Sequence, residues 1–323
     1  MRNIVIIFLF ISTLTSNLHA IELGDLALRK IDQITSKKID QITSKKMNKY
    51  VSNLSENIVS NLSESIPELI PGEGLSEVSI TLREDNKPDY SFLFVRELNR
   101  HHNGNTFLQA SAFNTELRNE ERLTTNLGIG KRFLSNDKFL MTGFNTFLDF
   151  DSYGNSRGSI GGELKNATFG LTSNYYKKIG NGSNEEEVLD GYDVELTSQV
   201  PHLHWANVFV NHYKWYGVKR GDIEGRKYGS ELSLLPSLNL EVVYDKKKKG
   251  LKKVKDKFDS NEYYVKINYV YPPREKNPTI LEGVSKTMWV KKKDMTDQLL
   301  TKVRRENRIM VELSGAATIS RLD

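Results

Sequence analysis

No cysteine occurs in the 323 residues, so the fold is not held by disulfides. Past the N-terminus no apolar run is long enough to be a membrane-spanning helix. Neither absence excludes strands that cross a bilayer. Such a strand needs only about 9–11 residues and gives half of them to lipid. An excess of one sign of charge is small as well. The net charge is +5, drawn largely from two Lys-rich clusters, which is no footprint for nucleic acid. No constellation of nucleophile, base and orienting group is visible, so no catalytic residue and no enzymatic activity are expected. No cofactor and no metal are expected either. His101-His102 read as polar turn residues. His202 and His204, without cysteine or an adjacent carboxylate, read as a tight turn beside Trp205 at a membrane rim.

What is present begins with Met1 to Ala20: an early Arg2, an apolar run from Ile4 to Leu14, and small or polar residues ending at Ala20. This is the pattern of a secretory signal, with cleavage expected after Ala20. Residues 21–74 follow as a repeat and linker segment. KIDQITSK occurs in tandem at Lys30 to Lys37 and Lys38 to Lys45, then VSNLSENI and VSNLSESI fill Val51 to Ile66. The period sets Ile31, Ile34, Ile39 and Ile42 on a drifting helical stripe. That suits a weakly amphipathic helix or a linker, and the repeat is too short and polar for a coiled coil. Pro67 and the P-G-E-G at Pro71 to Gly74 close the region.

From Glu77 to Tyr271 the pattern changes to alternation of period two, and twelve strands are expected, near 77–84, 89–98, 105–114, 122–133, 138–150, 157–165, 167–177, 190–199, 204–214, 227–234, 237–245 and 261–271. The clearest stretch is Asn126 to Lys165. There Leu127 and Ile129 oppose Asn126, Gly128 and Gly130. Leu140, Phe144, Leu148 and Phe150 oppose Gly143, Asn145 and Asp149, and Ile160 and Leu164 oppose Gly161, Glu163 and Lys165. One face is apolar with no partner sheet or helix to cover it. The other carries Asn145, Asp149, Glu163, Lys165, Asp193, Glu195, Glu231, Glu241 and Lys266, which a dry core accepts only when paired. The connections sort too. Turns at Ser135-Asn136-Asp137, Asn166, Pro201 to His204 and Pro236-Ser237 are tight, whereas Lys178 to Leu189, Lys214 to Arg226 and Lys246 to Ser260 are long and charged. A soluble sandwich has no reason to sort its loops this way. Short turns on one rim, long loops on the other and an even strand count specify an all-β fold: a 12-stranded antiparallel transmembrane β-barrel spanning residues 75–272, set in the outer membrane.

After Tyr269 and Tyr271, Pro272-Pro273 breaks the strand. The MTDQLLTKV run of Met295 to Val303 has a helical pattern, and Arg304-Arg305-Glu306-Asn307-Arg308 then leads into Ile309-Met310-Val311. A basic tail behind an acidic wall predicts that Asp149, Glu163, Glu195 and Glu241 hold Arg304, Arg305 and Arg308 inside the pore. Lys246, Lys247, Lys248 and Lys249, with Lys252, Lys253, Lys255 and Lys257, form a basic loop. It reads either as a solvated loop or as a contact for lipopolysaccharide phosphates or other anionic surface polymers.

These motifs in their order, namely NLGIGKRF, MTGFNTFLDFD, RGSIGGEL, DGYDVEL and KVRRENRIMVEL, resemble the translocator domain of the inverse autotransporters, the intimin/invasin group of bacterial adhesins, over roughly residues 75–312. The resemblance implies a periplasmic N-terminus, a plug helix at Met295 to Val303 and a linker at Arg304 to Leu313 threading the pore to the cell surface. It also implies outer-membrane lipid and lipopolysaccharide, the barrel-assembly machinery and periplasmic chaperones as partners. In the family a passenger of immunoglobulin-like domains carries adhesion. Here residues 273–323 hold the helix and linker, and Ser314 to Asp323 is too short for a domain, so a passenger is expected to be absent or truncated. The expected function is export and anchoring of a C-terminal segment. The alternatives are a surface adhesin acting through its loops, with an unidentified host ligand, or a porin-like channel.

Overall fold

The computed structural model describes residues 73–83, 88–117, 120–182, 186–218, 221–248, 261–290 and 294–313. The signal at 1–20, the tandem repeats, Lys249 with the lysines that follow it, and Ser314 to Asp323 lie outside the described residues. In chain order the strands are β1 (Gly74–Arg83), β2 (Asp89–His101), β3 (Gly104–Leu117), β4 (Glu120–Leu134), β5 (Met141–Asp151), β6 (Ser156–Lys165), β7 (Phe169–Gly180), β8 (Glu186–Val188), β9 (Asp190–Val200), β10 (Leu203–Tyr216), β11 (Ile223–Leu235), β12 (Leu238–Lys247), β13 (Glu262–Tyr271) and β14 (Val311–Leu313). All but β8 and β14 pair antiparallel with their neighbours, and β1 pairs with β13 to close a twelve-stranded barrel. Closure leaves no unpaired edge, which a bilayer demands.

Alternation sets the faces. Phe144 (67% exposed) and Ile160 (64%) point outward, whereas Asp149 (0%) and Arg157 (0%) point into the bore. The apolar face with no partner in the sequence is the outer wall. Strands meet at tight turns on one end, for example Val200 to Leu203 and Leu235 to Leu238, and at longer connections on the other. The β3–β4 connection breaks the pattern: it lies at the loop end, yet only two residues separate Leu117 from Glu120. Both termini of the barrel, Gly74 and Tyr271, lie at the turn end, because an even number of strands returns the chain to its starting side.

Inside the bore, glycines and aromatic rings form cross-strand pairs. Phe147 lies opposite Gly128 and Phe107 opposite Gly130. Trp215 lies opposite Gly191, and Tyr213 and Phe209 lie opposite Gly225 and Gly229. A Cβ on Gly128 would stand 2.2 Å from the Phe147 ring, and one on Gly229 would stand 2.3 Å from the ring of Phe209. The missing side chain lets the ring lie flat against the neighbouring strand, which keeps the lumen open. Gly128→Ala is therefore expected to destabilise the barrel by about 1–3 kcal/mol through overpacking. Gly162→Ala, whose Cβ would meet only Gly143 O at 3.9 Å, is expected to be near neutral. Urea midpoints of the two variants in lipid vesicles check this, and equal midpoints would refute the account.

After β13 the chain stays at the turn end. Arg274 N donates to Pro236 O (2.8 Å) and Ser285 N to His202 O (2.7 Å). His202 Nδ1 and His204 Nε2 donate to Ser285 O and Thr287 O, each at 3.0 Å. Trp205, expected at a membrane rim, lies beside the turn-end connection Val200 to Leu203 and is buried there. Its Nε1 donates to Gly283 O (2.8 Å), and it packs with Val200, Ala206 and Ile280.

Candidate functional site

The site is the bore itself, crossed by the chain from Asp294 to Leu313. Asp294 starts the crossing at the turn end, accepting from Thr296 N (2.8 Å). Hydrogen bonds from the Thr296 hydroxyl and amide hold the Asp294 carboxyl below its usual range. Met295 N donates to Lys138 O in the β4–β5 turn (2.9 Å).

The expected plug helix over Met295 to Val303 is not there. A 3-10 turn covers Met295–Gln298, and the chain then extends. The reason lies in the wall. In an α-helix Val303 N would donate to Leu299 O. Here Val303 N donates to Gln109 Oε1 (2.8 Å) and Leu299 O accepts from Arg132 Nη1 (2.8 Å). The same nitrogen also donates to Thr301 O (2.7 Å). Wall side chains take the backbone groups that helix formation requires.

The grip on the backbone continues upward. Asn174 Nδ2 donates to Arg304 O (3.0 Å), Arg157 Nη2 to Glu306 O (2.9 Å) and Asn126 Nδ2 to Asn307 O (2.9 Å). Glu306 N donates to the Tyr176 hydroxyl (2.7 Å). Between these contacts the linker side chains form ion pairs. Lys302 Nζ meets both Glu77 oxygens at 2.7 and 2.9 Å. Arg304 bridges Glu195 and Glu231, the latter at 2.8 Å. Arg305 is bidentate on Asp149 at 2.9 and 2.7 Å. Glu306 pairs with Lys227 (2.9 Å), and Arg308 with Asp89 (2.9 Å).

The aromatic–glycine pairs gain a third layer here. The Arg305 guanidinium lies 4.3 Å from the Phe147 ring centre and that of Arg304 lies 4.6 Å from Phe209. On the wall, Arg132 stands 4.2 Å over Phe107. Glycine, ring and guanidinium therefore stack from strand to linker, a cation–π arrangement in a confined space.

Of the acids read from the sequence, Asp149 and Glu195 meet the linker directly. Glu163 does not. Its carboxylate receives Arg132 (3.0 Å) and Lys165 from the wall itself, so it acts on the linker only through Arg132. Glu241 makes no hydrogen bond to the linker among the described residues. It lies opposite Glu231 and Lys266 in register, one strand away from the carboxylate Arg304 reaches. Glu231 and Asp89 take the places expected of these two, on Arg304 and Arg308, while Glu77 holds Lys302. Arg132 and Arg157 hold the linker as well and are not among the residues expected from the sequence, although the alternation of β4 and β6 sets them on the same face as Asn126 and Ser159. Of the four basic-loop lysines, Lys246 and Lys248 are exposed, Lys247 lies 3.9 Å from Glu262, and Lys249 lies outside the described residues.

Two apolar collars bracket the charged zone. Val303 sits among Leu75, Leu93, Val95, Phe107, Phe147 and Val270. Met310 sits among Tyr176, Leu189, Tyr213 and Trp215. Above the second collar β14 pairs antiparallel with β8, Val311 opposite Val188. Arg122, bonded to Asp151 (2.6 Å) and Glu186, anchors β8 to β4. Cavities of about 260 and 200 Å³ remain beside the linker. No cluster of three or more potential metal ligands occurs among the described residues.

The family model for the inverse autotransporter β-domain matches residues 28–307. No curated protein matches the chain. Among solved structures, a barrel from work on the in-meso crystallization of membrane proteins is 19% identical. It covers 74% of this chain and 98% of its own, with a TM-score of 0.58, a likeness of fold. The KdgM porin in complex with disordered oligogalacturonate is 12% identical, with 60% and 98% covered and a TM-score of 0.42. LpxR from Salmonella typhimurium is 7% identical, with 61% and 99% covered and a TM-score of 0.38.

Proposed function

The chain belongs to the inverse autotransporter β-domain family, outer-membrane translocators rather than enzymes, and from that premise we propose an intimin/invasin-type exporter whose bore passes a C-terminal segment outward and is then closed by it. In this reading residues 1–20 direct export, residues 21–74 stay in the periplasm, the turn end of the barrel faces the periplasm and the loop end faces the cell surface. Outer-membrane lipid surrounds the wall, and the barrel-assembly machinery and periplasmic chaperones deliver it.

One observation carries the reading: Arg304 and Arg305, consecutive in the linker, meet carboxylates on β5, β9 and β11 inside the bore. A polar lumen built for free diffusion has no use for a segment of its own chain bound at every turn of its backbone. The apolar collars at Val303 and Met310 fit the same role, since each packs wall side chains against the linker on either side of the arginine ion pairs. Such a plug also argues against an open porin. The test is topological. An epitope placed after Asp323 is expected to bind antibody on intact cells. Staining that appears only after the outer membrane is opened would overturn the proposal.

A further inference from the structure

The outer wall of β10–β12 is layered in a way the export function does not use. Successive outward residues on a strand are two positions apart, about 7 Å along it. Moving toward the loop end, one row is Val208, Ser230 and Val242, apolar but for the serine. The next is Val210, Tyr228, Tyr244 and Tyr263, in which Tyr244 and Tyr263 stack at 4.5 Å. The third row is His212, Arg226 and Lys246, side by side on three adjacent strands. Tyrosines of a barrel sit where hydrocarbon gives way to headgroups, so the row that holds the Arg226 and Lys246 cations lies at headgroup height.

Just beyond that row the charges are neutralised: Lys214 pairs with Asp222 (2.8 Å) and Lys248 with Glu224 (3.0 Å). Within the row they are not. Arg226 and Lys246 are exposed and have no ion pair among the described residues, and His212 Nδ1 has no hydrogen-bond partner. Like charges directly opposite on one sheet face repel, so the pair is unfavourable unless an anion bridges it. The feature is local. Next to the loop end on the far wall the outward residues are Leu123, Phe150 and Ile179, and Lys177 there is paired with Asp190.

We propose that Arg226, Lys246 and His212 form a lateral site for a phosphate of the outer-leaflet glycolipid headgroup, the phosphorylated saccharide of lipid A. The planar fork of Arg226 takes two phosphate oxygens, the Lys246 ammonium takes the third, and His212 donates from the flank. The tyrosine row packs under the sugar. Lipid A is the occupant because the row faces the bilayer and because the loop end, on the orientation proposed above, is in the outer leaflet.

The probe is bis-phosphorylated lipid A, added to the full-length protein in detergent and read by native mass spectrometry. Dephosphorylated lipid A, phosphatidylglycerol and inorganic phosphate form the comparison arms. Bound lipid A is expected on the wild type and on Lys131→Gln, a cation of the turn-end rim. Arg226→Gln/Lys246→Gln is expected to bind at least about tenfold more weakly, the loss for two charge-assisted contacts. Equal binding by the double variant overturns the proposal. So does equal binding of dephosphorylated lipid A or phosphatidylglycerol, or displacement by inorganic phosphate at matched concentration. The assay needs no orientation, so failure of the surface-epitope test leaves its outcome separate.

Discussion

Asp149→Ala is expected to cost about 3–5 kcal/mol of stability, the range for breaking a buried ion pair from one side. Asp149 accepts from Arg157 Nε (2.9 Å), Arg157 Nη2 (2.8 Å), both terminal nitrogens of Arg305 and Asn126 Nδ2 (2.8 Å). Asp149, Arg157 and Arg305 all have 0% side-chain exposure. Removing the carboxylate leaves two guanidinium groups in the bore facing each other without a counter-charge. Desolvation that the three groups share in the intact protein then goes uncompensated. Asp149→Asn keeps the volume and still fails, because a neutral amide offers one acceptor where the carboxylate offers two charged ones. Urea titration of the full chain in lipid vesicles measures the effect. Asp294→Asn, at the turn-end surface, is the comparison. If both shift the midpoint equally, the Asp149 cluster is not the stabilising centre assigned to it.

The second large effect concerns closure. Arg304→Ala/Arg305→Ala is expected to convert a closed pore into one with persistent conductance in planar bilayers. The two guanidinium groups reach Glu195, Glu231 and Asp149, and charge-assisted contacts contribute about 1.5–3 kcal/mol each. Losing several favours the undocked linker. The conservative Arg304→Lys/Arg305→Lys variant is expected to fall between wild type and the alanine pair. An ammonium keeps the charge but not the fork that spans two carboxylates, nor the flat face that lies on Phe209 and Phe147. An alanine pair that remains as closed as wild type would remove these arginines from the plug. So would a lysine pair that conducts more than the alanine pair.

How much of this is legible in the sequence depends on the range of the interaction. The faces of β4, β5 and β6 follow from period two alone, and so Asp149 and Glu195 point inward as expected. Which inward acid meets which linker arginine depends on closure and register, and neither is written locally. Glu163 and Glu241 share the right face, but Glu163 is drawn to Arg132 and Lys165 on its own wall, and Glu241 stands one strand beyond the Glu231 that Arg304 reaches. Arg308 instead finds Asp89, at the opposite end of the barrel sequence. Met295 to Val303 has real helical periodicity, and tertiary hydrogen bonds override it, donated by Arg132 to Leu299 O and accepted by Gln109 from Val303 N. The three-residue strands β8 and β14 carry no signal of their own. They exist because the linker's exit meets a loop more than a hundred residues earlier in the chain.

The three-layer stacks have a mechanical side. Phe147 and Phe209 stand on different sectors of the wall, and each carries a linker guanidinium that is also bonded to carboxylates: Arg305 to Asp149 on the same strand as Phe147, Arg304 to Glu195 and Glu231 on the two strands beside Phe209. Contacts of Lys302, Arg304, Arg305 and Arg308 thus reach β1, β2, β5, β9 and β11. A hollow tube flattens easily because hydrogen-bonded strands can hinge about one another. This one has spokes. Its circular section cannot become oval without lengthening charge-assisted bonds on one diameter and compressing rings on the other, so the same residues that close the pore also stiffen its walls.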